Sequence, residues 1–170
     1  MTTLDLRRLH IKPGEQHEER RAVELEAFDL GGQRYEPRPP DPEAGLTLTR
    51  TTDGLVLELN LETRLVGPCF RCLGDSEVGL RVRGREYQAA RGAAEDEELR
   101  TPYVEDDKLD VSRWARDAIA LALPDKILCR EDCAGLCGVC GRDLNAEPHT
   151  HEEKTADPRW GALAELRDRL

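Results

Sequence analysis

Between residues 46 and 65 the chain alternates apolar and polar side chains with a period of two. In "LTLTRTTDGLVLELNLETRLV" Leu46 and Leu48 alternate with Thr, and Leu55, Leu57, Leu59, Leu61 and Leu65 share one face against Glu58, Asn60, Glu62 and Arg64. That period belongs to strands with one buried face, and Asp53-Gly54 marks the tight turn between them. A third strand follows "CFRC", with Val78, Leu80 and Val82 inward and Glu77, Arg81 and Arg83 outward, running on towards Tyr87. The turn before it carries Cys69 and Cys72. The period then changes in "LDVSRWARDAIALALP", where Val111, Trp114, Ala115, Ala118, Ile119 and Ala122 recur at helical spacing, with Asp110 as N-cap and Pro124 as the stop. This helix is expected to cover the sheet, with Trp114 in the core rather than offered as a stacking platform.

The flanks are less regular. Residues 1 to about 40 offer a short alternating strand at Val23, Leu25 and Ala27, followed by a Gly-Gly turn. "PRPPDPEAG" reads as a stiff linker, because its prolines remove backbone donors, and regular structure is expected to restart near Leu46. At the other end "DPRWGALAELRDRL" supplies an Asp157 cap, Pro158 at a first helical position, and Trp160, Leu163, Leu166 and Leu170 along one side, predicting a terminal helix. The pattern predicts an α+β fold: an antiparallel β-meander covered by a helix, with a Cys/His segment and a C-terminal helix. The divisions expected are 1–45, an N-terminal strand region and linker; 46–126, sheet plus helix; and 127–170, the Cys/His segment and last helix, forming one compact unit with 46–126.

Composition sharpens this picture. Only 38% of the 170 residues are hydrophobic and 4% aromatic against 35% charged, so the core must be thin and aliphatic and another source of stability is expected. No run approaches the roughly 20 apolar residues of a membrane span, and the opening "MTTLDLRRLHIKPGEQ" lacks a secretory apolar stretch. A cytoplasmic location is therefore expected. There, clustered cysteines serve metal binding or redox chemistry more often than structural disulfides.

"LCREDCAGLCGVCGRDLNAEPHTH" holds four of the six cysteines and two of the four histidines. Its spacing is C-x3-C-x3-C-x2-C, followed by H-x-H. With Cys69 and Cys72 in "PCFRCL", the chain offers eight candidate ligands: Cys69, Cys72, Cys129, Cys133, Cys137, Cys140, His149 and His151. A C-x2-C turn points backbone N–H groups at its thiolates and lets both sulfurs reach one tetrahedral ion. Eight ligands suffice for two closed zinc sites, so one or two structural zinc ions are expected. Neighbouring pairs suggest Cys137, Cys140, His149 and His151 as one unit, with Cys129 and Cys133 joining Cys69 and Cys72. The rival arrangement is a single all-cysteine site built from the two C-x2-C turns. His10 and His17 stand alone and read as surface residues. "CGVC" also permits thiol-disulfide exchange, but it follows no long apolar strand and opens no amphipathic helix. There is no phosphate-cradling loop, no nucleophile elbow and no ligand set with an evident open position, so neither an enzyme nor a small-molecule substrate is expected.

Charge bears on the partner. The net charge of -10 opposes generic binding to a polyanion and favours a basic partner. The distribution is uneven: "EDEELRTPYVEDD", residues 95–107, sets seven acids against Arg100, whereas Arg64, Arg71, Arg81, Arg83 and Arg85 face only Asp75 and Glu77. These five arginines are the candidate contact with RNA or a partner; a solvated strand face is the plainer reading.

"PCFRCL", then "LDVSRWARDAIALALPDKILCREDCAGLCGVCGRDLN", then "DPRWGALAEL" resemble, in order and spacing from about residue 46 to 170, the YceD family of large ribosomal RNA subunit accumulation proteins. In such proteins the position of "HTH" is often C-x-C, similar to the ligand role assigned to His149 and His151. Some members lack parts of the cluster, which implies that metal is support and not the activity. The resemblance implies a non-enzymatic role in 50S ribosome biogenesis through accumulation or processing of large-subunit rRNA. Two kinds of partner within a pre-ribosomal particle remain open: the rRNA itself, met by the arginine patch, and a basic ribosomal protein.

Overall fold

The fold is known from a computed structural model that describes residues 1–90 and 100–151. It divides into two compact units, 1–133 and 134–170. Among its described residues the first is mostly antiparallel sheet with one α-helix and a short 3-10 turn at Leu6–Arg8. Its strands are β1 (Thr3–Asp5), β2 (Gln16–Ala22), β3 (Phe28–Leu30), β4 (Gln33–Arg38), β5 (Glu43–Arg50), β6 (Gly54–Pro68), β7 (Asp75–Ala89), β8 (Val104–Glu105) and β9 (Lys108–Asp110), and its helix is α1 (Val111–Ala122).

β6 is the centre of the main sheet. Along one edge it pairs with all of β7; along the other its first half pairs with β5 and its second with β4, and β2 and β3 lie outside those. β1, β9 and β8 form a separate three-stranded sheet. The leucine alternation does what its period requires: Leu46, Leu48, Leu55, Leu57, Leu59, Leu61 and Leu65 are all buried, joined by Leu80 and Val82 of β7 and by Val111, Trp114, Ala115 and Ile119 of the helix. Fully burying one such side chain contributes roughly 1.5–3 kcal/mol, so this face dominates the stability of the unit.

α1 begins where its cap predicts, with the Asp110 carboxylate accepting from the Arg113 N–H at 3.0 Å. Ala122 is exposed and does not continue the buried stripe. The helix packs on β7, where a β-carbon added at Gly84 would come within 2.8 Å of the Trp114 indole nitrogen. Glycine there is what allows the indole to lie against the sheet.

The N-terminal part departs from expectation. Residues 23–27 are not strand; β2 precedes them and β3 follows. Val23 and Leu25 are nonetheless buried, and their N–H groups donate to the carbonyls of Pro42 and Pro40. Prolines accept without donating in return, so the segment is extended but makes no reciprocal ladder. The Gly-Gly turn exists as the β3–β4 hairpin, with Gly31 at φ 57° and Gly32 at φ 79°, the conformation that a two-residue loop of this hand needs. The linker is shorter than its prolines suggest: β4 runs through Pro37 to Arg38, and β5 starts at Glu43 rather than near Leu46. The C-terminal helix expected from Asp157 lies outside the described residues, as does the acidic stretch 95–99.

Candidate metal centres

The end of β6 is fixed before the first cysteine. Tyr35 of β4 is buried and donates its hydroxyl to the Pro68 carbonyl at 2.8 Å, and its ring passes so close over Gly67 that no β-carbon fits there. Cys69 to Leu73 then form a tight turn into β7. The Leu73 N–H bonds back to the Cys69 carbonyl at 3.0 Å, with Leu73 in the left-handed region at φ 60°, and the Cys69 N–H donates to the Gly74 carbonyl. The segment after α1 is tied to this turn: the Phe70 N–H donates to the Ile127 carbonyl at 2.8 Å and the Arg71 guanidinium to the Cys133 carbonyl at 2.6 Å. These contacts bring Cys69, Cys72, Cys129 and Cys133 together, their sulfurs all within 4.8 Å of one another. Cys69 and Cys133 are buried, with sulfurs 3.8 Å apart, and the Cys72 and Cys129 sulfurs are 3.7 Å apart. A tetrahedral ion with Zn–S bonds of about 2.3 Å sets its sulfurs roughly 3.8 Å apart.

Electrostatics in this group point the same way. Burial raises the Cys69 thiol, but the backbone N–H groups of Cys72, Cys129 and Arg71 outweigh it and bring Cys69 down to about 6. Cys129 goes the other way, to about 12, through desolvation of its sulfur and the neighbouring thiols of Cys72, Cys133 and Cys69. Four sulfurs this close cannot all be thiolates unless a cation shares the space.

The second group lies in the second unit and is local. Cys137 accepts a backbone bond at its carbonyl from Gly141, which sits at φ 74°, while its own N–H donates to the Arg142 carbonyl, each at 2.8 Å. This turn is continued by a bridge between Leu136 and Asp143. Cys137, Cys140, His149 and His151 have their ligand atoms within 4.8 Å of one another. His149 Nδ1 lies 2.7 Å from the Glu147 carbonyl, which orients the ring and leaves Nε2, 3.1 Å from Cys140 Sγ, free to coordinate. Backbone N–H groups of Cys140 and Val139 lower the Cys137 thiol to about 6 against its desolvation. The Glu147 carbonyl and then Cys137 raise His149 above its usual 6.5.

Both groups are compatible with holding a metal ion: each supplies four donors, sulfur only in the first and sulfur with imidazole in the second. The two C-x2-C turns fall in different groups. His17 sits on β2 beside Glu19, at 3.3 Å, and His10 lines a surface cleft; among the described residues neither belongs to a group.

The arginines are placed differently. Arg81, Arg83 and Arg85 point outward from β7, where register sets Arg81 opposite Glu62, Arg83 opposite Asn60 and Arg85 opposite Glu58. Ion pairs follow: Arg81–Glu62 at 3.1 Å, Arg85–Glu58 at 3.7 Å and Arg64–Glu77 at 3.8 Å. Arg71 is engaged with the first cysteine group. Reading β7 alone gives a basic stripe; the cross-strand acids Glu58 and Glu62, visible in sequence only once the β6–β7 register is drawn, balance it. The sequence reading also had no signal for the Tyr35 anchor or the Glu147 carbonyl.

Residues 57–167 match the family described as large ribosomal RNA subunit accumulation protein YceD. The chain belongs to the YceD family. An uncharacterized protein of Mycobacterium tuberculosis strain H37Rv is 32% identical over 176 residues, covering 96% of this chain and 80% of the relative, and one of Mycobacterium bovis matches equally. An uncharacterized protein of Mycobacterium leprae is 34% identical over 107 residues, 59% of this chain and 48% of its own. No solved structure gives a significant match. The YceD match spans both cysteine groups, and the family's description concerns the accumulation of ribosomal RNA and names no catalysed reaction. Among the described residues no helix is long and apolar enough to cross a membrane.

Proposed function

We propose that the protein is a non-catalytic factor, held together by two structural zinc ions, that supports accumulation of large-subunit rRNA in the cytoplasm by docking on a pre-ribosomal particle. Its direct contact there is a basic ribosomal protein rather than naked RNA. The observation that carries the choice of partner is the cross-strand pairing of Arg64, Arg81 and Arg85 with Glu77, Glu62 and Glu58. A phosphate contact would have to displace those carboxylates, and the chain around them carries a net charge of -10. Zinc is favoured by the donor sets: four thiolates, and two thiolates with two imidazoles, suit a tetrahedral ion without redox chemistry. Four donors in each group leave no open position for a catalytic water, which supports a structural role and weighs against a metal-dependent hydrolase. Shared coordination of every thiol also weighs against the disulfide-exchange alternative, since a bound thiolate is no free nucleophile.

The test compares binding of the zinc-loaded protein to a precursor particle of the large subunit, to a purified basic ribosomal protein and to naked precursor rRNA over a range of salt. The expected result is weak, steeply salt-dependent contact with RNA and tighter association with the other two. RNA binding as tight as particle binding at physiological salt would overturn the choice of partner, and an absence of bound zinc in protein from zinc-replete cells would overturn the metal assignment.

A further inference from the structure

β7 has two edges. One carries the ladder to β6 without interruption from Asp75 to Ala89, with no bulge and no proline. Along the other edge no strand pairs with it among the described residues. A free edge of such length is normally blunted by a bulge, a proline, a covering element or charged side chains. Among the described residues β7 has only the charges, which turn away a strand of unmatched charge but leave its N–H and C=O groups as a template for a matching one.

The strand's charge is sorted along its length: Asp75 and Glu77 come first, then Arg81, Arg83 and Arg85. A second copy laid antiparallel about Gly79 brings opposite halves together. Asp75 then stands across from Arg83 and Glu77 from Arg81 on the outward side, with Val78 across from Leu80 on the inward side. All four charged residues and Gly79 are exposed. Arg83 is the β7 arginine whose partner on β6 is a neutral Asn60, so a carboxylate from a second copy meets a charge that the chain itself leaves without an acid in register. Gly79, where the twofold axis would pass, has an open outward face, an added β-carbon meeting nothing within 4 Å, so two copies of the residue meet there without crowding side chains. A basic partner strand would instead run its charges against Arg81 and Arg83, which favours a second copy of this chain over a cationic tail.

We propose that the protein forms a symmetric dimer by antiparallel pairing of the β7 edges about Gly79, closed by Asp75–Arg83 pairs between copies, with Glu77 and Arg81 keeping their pairs to Arg64 and Glu62 within each copy. The interface is isologous, so each contact occurs twice and the assembly stops at two. It also pairs the longest strand edge of the main sheet that no strand covers among the described residues. This inference goes beyond the functional reading and requires no ribosomal component for its test.

Light scattering or sedimentation over a range of concentrations should give a mass about twice the 19.1 kDa of one chain. Arg83→Glu and Asp75→Arg each place like charges opposite one another at two symmetric positions, and each should weaken the dimer about tenfold or more. The double variant Asp75→Arg with Arg83→Glu restores opposite charges and should recover dimerisation to within about threefold of wild type, the pairs being of the same kind. Mixing the two single variants should give a heterodimer, resolved by native mass spectrometry. Unchanged thermal melting and zinc content in the single variants separates lost pairing from lost folding. A wild-type monomer at hundreds of micromolar, single variants that dimerise like wild type, or a double variant no better than the singles would each overturn the proposal.

Discussion

The two cysteine groups use the same turn chemistry and differ in what the chain spends on either side of it. In the first, cysteines 57 and 64 residues apart meet because a strand end, a turn and the segment after α1 converge. In the second, Cys140 and His149 are nine residues apart on one loop. Two of the first four are buried, against Cys137 alone in the second. A long-range group acts as a cross-link whose closure restricts the whole unfolded chain, while a local group orders only the loop that carries it. Charge differs too: four thiolates about a dication leave two negative charges, whereas two thiolates and two neutral imidazoles leave none. The first ion should therefore belong to the fold and the second to its own segment.

The largest expected effect follows directly. Cys69→Ser should lose the first ion and lower the melting temperature of the first unit by about 10 °C or more, since apparent zinc binding energies run to roughly 10–16 kcal/mol and each kcal/mol moves a domain of this size by about 2–4 °C. Cys137→Ser should lose the second ion and leave that melting transition within about 2 °C, a shift below 1 kcal/mol. Native mass spectrometry counts the ions and calorimetry reads the transition. Equal losses of stability would erase the distinction between the two groups.

That contrast was only half legible in the sequence. The C-x2-C turns and the H-x-H announce themselves by spacing, and nearness in sequence suggested the second group. Spacing assigns Cys129 and Cys133 to Cys69 and Cys72 only as the remainder, and the structure does group them so; what enforces it is Tyr35 fixing the end of β6 and Phe70 and Arg71 capturing the segment after the helix. The leucine strands were legible because one face is buried at a strict period of two. β2 was not, since "QHEERRA" carries no apolar alternation, and its pairing with β5 rests on backbone bonds that any sequence can make. The basic stripe on β7 was legible only in part for a related reason: charge along one strand says nothing of the charge across the ladder.

Acid should separate the groups in a fixed order. Before an ion binds, Cys69 and Cys137 are both lowered to about 6 while Cys129 is raised to about 12. A bound cation holds every thiolate to lower pH still, so access to the ligands and not these thiols sets the order of release. Two sulfurs of the first group are buried, whereas in the local second group Cys140 and His151 are exposed. His149 is also raised above 6.5, so its protonated form, which cannot bind metal, gains ground at a higher pH than that of Cys137. The sign is that of a raised group: the lone pair is available above its pKa and lost as pH drops through it. Acidifying the loaded protein from pH 8 should release the second ion first, read by a chromogenic zinc indicator and assigned with Cys137→Ser, which should abolish the early phase. Release of both ions in one step, or of the first ion first, would break the comparison.

The smallest effect expected lies inside the second group and distinguishes its two histidines. The His149 ring is held by its Nδ1 contact to the Glu147 carbonyl, so Nε2 is aimed before metal arrives and binding need not order the side chain. His151 has no hydrogen bond of that kind among the described residues; it is exposed and meets His149 edge to face, with ring centroids 4.9 Å apart. Orienting partners of metal ligands are typically worth 10–100-fold in affinity, and that advantage belongs to His149 alone. His149→Ala should therefore weaken the second ion by about 100-fold, while His151→Ala, whose place a water can take at a fourth position, should weaken it by about tenfold. Competition with a chelator of known affinity, on a Cys69→Ser background if that variant folds and otherwise on the intact protein with the first ion as internal reference, resolves the two. Equal losses would mean that both imidazoles are equally fixed in the bound state, and no loss on removing His151 would reduce the second group to three protein ligands and an open position.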